Sequence, residues 1–221
     1  LLDLLARETN RPALVFTASH GVGFPRGHAR QLKEQGALIC QEWPGGGQGE
    51  VPASMLVSGR DILPEMDLAG LVVFGFACFS AGTPKLDFFA PYYKRLPRQL
   101  ANEPFVGYLP QRLLEQGALA FIGHVDLAWN YAFGWPSIGP LLDVFEDSLT
   151  AMLRGAPVGN AMEYFSHRYL DVNHELTKNL LAKYVENKPV DAEMIDYWTA
   201  RNDARAYVVF GDPAARVSLQ S

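Results

Sequence analysis

The chain has 221 residues, 48% of them apolar and 19% charged, the balance of a globular core rather than of a disordered segment. A net charge of −5, with no basic cluster denser than Lys94-Arg95 plus Arg98, argues against nucleic acid as the main partner. Two cysteines, Cys40 and Cys78, are too few for a disulfide scaffold, and no run approaches the roughly 18–20 apolar residues of a membrane span. The length predicts a single domain over 1–221. The opening LLDLLARETNRP lacks the layout of a signal peptide and has no initiator Met, so the chain reads as the C-terminal part of a longer one. A free thiol suits a reducing, cytoplasmic compartment.

In chain order, Leu1 to Thr9 reads as the end of a helix, and Ala13 to Ser19 as an apolar strand that stops at His20-Gly21. A glycine-bearing loop follows, then a short strand within Gly36 to Trp43 that holds Cys40. Pro44 to Pro52 (PGGGQGEVP) has four glycines and reads either as a lid or as a plain surface hairpin. Ala53 to Val57 is predicted as an edge strand and Ile62 to Met66 as one helical turn. Leu71 to Phe76 is the most apolar run and reads as a strand covered on both faces. It ends in Ala77-Cys78-Phe79-Ser80-Ala81-Gly82.

The region Lys85 to Pro104 is irregular and aromatic, with Phe88, Phe89, Tyr92 and Tyr93. Phe105 to Gln116 has helical spacing with Gly117 as its stop. Ala118 to Ile122 is a third buried strand leading to Gly123-His124-Val125-Asp126, and a second aromatic loop runs from Trp129 to Pro136. Helices are predicted over Ile138 to Arg154, with Leu141, Leu142, Phe145, Leu149 and Met152 inside, over Val158 to Glu186, and over Asp191 to Arg201. Ala206 to Phe210 is the last strand. This order predicts an α/β fold: a three-layer α/β/α sandwich around a mostly parallel sheet.

Two parallel strands ending in His20-Gly21 and in Cys78 would set a base beside a nucleophile at the carboxyl edge of the sheet, where ligands bind in open α/β folds. A cysteine needs such help, because the thiolate is the nucleophile and a free thiol ionises only near pH ~8.5. Histidine can take up or return the proton, and backbone N–H groups beside the pair can hold an oxyanion. Taken alone, a cysteine in an apolar strand is a core thiol and a lone histidine is structural.

The order of motifs resembles the caspase–hemoglobinase fold of clan CD cysteine peptidases, in its CHAT and gingipain-like branches. The resemblance is carried by ALVFTASHG and LVVFGFACFSAG, by Asp61-Ile-Leu63 and Asp67-Leu-Ala-Gly70 before the Cys strand, and by Gln116 to Gly123. Gly155 to Ala161 and Val209 to Pro213 complete it. It covers nearly the whole chain and implies a cysteine endopeptidase with His20 and Cys78 as its dyad. The amides of Gly21 and Cys78 would form the oxyanion hole. The resemblance implies no cofactor and no metal, and a protein or peptide substrate. Asp126 is the approximate match to the acid that selects a basic residue in some relatives; otherwise it caps a turn. His124 either contacts substrate or is structural. The family has two strands before the His strand, which are missing here, so an N-terminal domain or partner chain is expected to supply them or to cover the exposed edge. The alternative is a catalytically silent CHAT-like binding or signalling module.

No C-x-x-C, H-E-x-x-H or G-x-S-x-G is present, which leaves metallo and serine hydrolases without support. His167 and His174, seven apart on a helix, read as a solvated surface, and Cys40 as a small buried hydrophobe. The two aromatic loops read equally as walls of a peptide groove and as satellite core.

Overall fold

The computed structural model describes residues 1–7, 9–45, 49–135 and 139–218. Its centre is a four-stranded sheet built from β1 (Leu14–Ala18), β2 (Val72–Phe76), β3 (Ala120–His124) and β4 (Tyr207–Gly211), in that spatial order. The first three strands run parallel, and β4 pairs antiparallel with β3, so the sheet is mixed and mostly parallel. The principal helices are α1 (Tyr108–Glu115), α2 (Asp143–Leu153), α3 (Glu163–Val185) and α4 (Ala192–Arg205).

Alternation along the strands feeds two apolar clusters, one on each face. Val15, Val73 and Phe121 pack with Leu109 and Leu113 of α1, whereas Val72, Phe74 and Ile122 pack with Phe145 and Met152 of α2 and Phe165 of α3. Phe74 is fully buried, edge-on to Phe165 and tilted on Phe145. A central strand between two cores has no solvent face to mark with polar residues, which is why Leu71 to Phe76 is apolar almost throughout.

The long elements fall where the pattern puts them, and tertiary pairing trims the short ones. The first helix is only Leu2–Leu5, and the strand holding Cys40's neighbours is only Leu38–Ile39, paired with Leu56–Val57. Ala53–Met55 forms a 3-10 turn instead of extending that edge strand. No helical turn forms over Ile62 to Met66. A 3-10 turn lies one step earlier, at Gly59–Asp61, because Ser58 and Asp61 close a capping box on each other. Phe105–Val106 leaves the predicted helix to pair with Gly82–Thr83, closing the base of the aromatic insert. Helix α2 begins at Asp143, Ile138 lies outside the described residues, and Gly139–Pro140 pairs with Gly134–Trp135. The lid reading of the glycine run falls on residues 46–48, also outside the described residues.

Helix α3 packs mainly against α4. Only Phe165 and Leu176 of its apolar positions are buried, and Tyr184 is 85% exposed. Beyond Leu176 its apolar residues are exposed. Gly155 to Ala161 meets the closing segment, with Val158 N–H donating to Ala215 O and Gly159 N–H to Pro213 O. Among the described residues no helix is long and apolar enough to cross a membrane.

Candidate functional site

Register sets the geometry of the site. Ala18 pairs with Phe76 across β1 and β2, so His20 and Cys78 stand at the same offset, two residues past the last pair, on adjacent parallel strands. Ser19 N–H still donates to Phe76 O at 3.0 Å, which carries the strand alignment up to the histidine. Both side chains line one open cleft of about 680 Å³ at the carboxyl edge of the sheet. His20 is exposed and Cys78 half-buried.

Glycine at position 21 is required by contact. A Cβ there would lie 1.9 Å from the carbonyl oxygen of Cys78, so the two backbones touch only because that atom is absent. Gly21 bridges Leu38 in the pattern where the flanking residues bond: Val22 N–H donates to Ala37 O and Ile39 N–H to His20 O. The Gly21 amide therefore makes no bond to that strand. Neither it nor the Cys78 amide finds an acceptor on another residue among the described ones.

The turn that presents Cys78 is fixed from three sides. Phe79 has φ +58°, a left-handed conformation costly for a bulky residue, and its N–H donates to Asp126 O at 2.7 Å. Ser80 Oγ donates to Gly75 O at 2.7 Å and accepts from His124 N–H at 3.0 Å, and Ala81 N–H donates to His124 O. The Cys78 thiol itself points to Ala128 O at 3.6 Å. Burial pushes the thiol above its ordinary range, and the charges of Asp203 and Asp126 act in the same direction. No hydrogen bond joins Cys78 to His20 among the described residues.

The other two predicted site residues lie behind this cleft and do not line it. His124 is fully buried. Its Nδ1 is 3.0 Å from Asp126 O and its Nε2 is 3.0 Å from Asp203 O, with the Asp203 carboxylate at 3.3 Å. Burial alone would lower its pKa, but the hydrogen bond and charge of Asp203 outweigh that and hold the ring above its ordinary value. Asp126 is also buried, with Oδ1 accepting from Leu127 N–H at 2.7 Å and Oδ2 without a partner. Burial raises its carboxyl to about 7. His124 and Asp126 hold the strand ends together, and neither presents a polar atom to the cleft.

Asp203 was not legible beforehand. It is fully buried on α4, accepts from Trp129 N–H at 2.7 Å and faces His124. It lies past the predicted end of that helix at Arg201, which the structure carries on to Arg205. The aromatic loops divide their roles: Phe89 and Tyr131 are buried, while Trp129 and Phe133 line the cleft. Cys40 is half-buried rather than a core residue. His167 and His174 are exposed, and the described residues contain no group of three metal-ligating side chains. Comparison of the chain with protein-family models, with curated proteins and with solved structures finds no match.

Proposed function

We propose that the chain is a cysteine endopeptidase of the caspase-like, three-layer class. The observation that carries this reading is the equal offset of His20 and Cys78 on paired parallel strands, both lining one cleft, with two unbonded amides beside them. Cys78 Sγ attacks the scissile carbonyl carbon as His20 accepts the thiol proton. The C=O electrons move to oxygen, where the Gly21 and Cys78 amides donate to the oxyanion. Collapse breaks the C–N bond, and the imidazolium returns its proton to the departing amine. Water then attacks the thioester with His20 again taking the proton, which frees the acid and restores the thiol. These steps call on no cofactor. The outer edge of β1 is the place where a further strand, from an N-terminal domain or a partner chain, would pair.

Asp126 as a selector of basic residues has little support, because its carboxyl is buried and outside the cleft. The silent binding module draws on one observation, the thiol held protonated by burial. Alkylation by iodoacetamide at neutral pH separates the two readings. The peptidase reading expects Cys78 to react faster than Cys40 and to lose that advantage in His20→Ala. Equal rates, unchanged by the substitution, would hand the case to the silent module.

A further inference from the structure

The cleft is nearly free of charge. Phe76, Phe133 and Phe145 form its floor, with ring centroids of Phe76 and Phe133 at 5.6 Å and of Phe76 and Phe145 at 5.6 Å, both edge-to-face. Leu142 and Leu149 add to one wall. Leu142, predicted to face inward on α2, is 47% exposed because it stands at this rim. Besides His20 and Cys78, the one ionisable side chain among the lining residues is Glu146, which is exposed. An exposed carboxylate offers an incoming cation little, while a guanidinium entering the aromatic floor would lose water without a partner. Three rings that can pack edge-on against a fourth favour an aromatic or large aliphatic guest. The volume lies within the ordinary range of ligand pockets, about 300–1,000 Å³.

We infer that the substrate residue whose carbonyl Cys78 attacks carries a large apolar side chain, phenylalanine or leucine in class, seated on Phe76, Phe133 and Phe145. This rests on the peptidase reading above and gives it a substrate class.

The test uses two peptidyl acyloxymethyl ketones that differ only in a terminal Phe or Arg, with modification of Cys78 followed by mass spectrometry. The Phe reagent is expected to react about tenfold faster or more, as burial of a large apolar side chain requires. Leu142→Asp should move that ratio toward Arg by about tenfold, while Glu146→Gln leaves it within about twofold. Equal rates, or a faster Arg reagent, would overturn the inference while leaving the dyad intact. A second measurement needs no chemistry: binding of N-acetylphenylalaninamide and N-acetylargininamide to the Cys78→Ala chain, read from the methyl resonances of Leu142 and Leu149. If neither ketone labels Cys78 but the Phe amide binds there more tightly, the pocket stands and the catalytic reading falls. If the Arg amide binds as well or better, the pocket assignment falls.

Discussion

The molecule has two histidine centres, His20 past the end of β1 and His124 at the end of β3 with β2 between them, and they differ in what surrounds them. At the His20–Cys78 edge the side chains face an open cleft, and the rigidity comes from backbone: the Gly21–Cys78 contact, the left-handed Phe79 and the Ser80 hydroxyl. At the His124–Asp126–Asp203 centre the side chains are buried, and the His124 ring sits between the Asp126 and Asp203 backbone carbonyls with the Asp203 carboxylate beside it. The buried centre has the more perturbed titration, which by itself would nominate it as the chemical one. Access reverses that ranking. Perturbed acid–base groups sealed behind a sheet end fix the backbone, and under the peptidase proposal the catalytic task falls to the exposed His20, which a substrate can touch.

The comparison breaks most visibly if substitutions in one centre produce the effects assigned to the other. His20→Ala should lower peptide cleavage and Cys78 alkylation by about 10²–10⁴-fold and leave the thermal midpoint nearly unchanged, measured by parallel kinetics and melting. Asp203→Ala should do the opposite. It strands the buried His124 ring and the Trp129 N–H, and urea unfolding should record a loss of about 3–5 kcal/mol. Gly21→Ala sits between them, since its Cβ would enter the Cys78 carbonyl and tilt one oxyanion donor; a fall of about 10²-fold in kcat is expected.

Stability against pH gives a finer test. Asp126 titrates at about 7 in the fold, above the unfolded carboxyl value of about 4. The folded state therefore keeps a proton that the unfolded state has lost. The stabilisation is complete below pH ~4 and is lost as pH rises to about 7. His124, also held above its unfolded value, adds in the same direction, its contribution fading as pH rises through that raised value. Asp126→Asn should flatten unfolding free energy between pH ~4 and ~7 by a few kcal/mol. At the far end of the scale, Tyr184→Ser on the exposed end of α3 should change stability by no more than about 0.5 kcal/mol.

The apolar runs before His20 and Cys78 made β1 and β2 legible, β2 most of all, because a strand covered on both faces can be written only in apolar residues. The short turn residues after each run marked the sheet edge. The equal offset of His20 and Cys78 was beyond reach, since register is a property of two strands and each run shows only itself. Asp203 was hidden for a similar reason: a polar residue past a predicted helix end carries no sign of burial, and only its meeting with His124, 79 positions away, makes it a core residue. The aromatic cleft lay in plain view as Phe76, Phe133 and Phe145, but apolar residues look alike whether they close a core or floor a pocket. Helix α3 shows the converse, apolar residues that cover no core: beyond Leu176, Leu180, Leu181, Tyr184 and Val185 are exposed.

The protonated state of Cys78 also bears on how the protein ages. Peroxide attacks sulfur through its anion, so a thiol kept neutral by burial and by two nearby carboxylates is a poor target for sulfenic acid formation. A cysteine at an open edge would ordinarily be the first casualty of aerated solution. Here burial sets a limit on peroxide attack that the neighbouring His20 would have to offset, so peroxide and iodoacetamide should rank Cys78 and Cys40 in the same order.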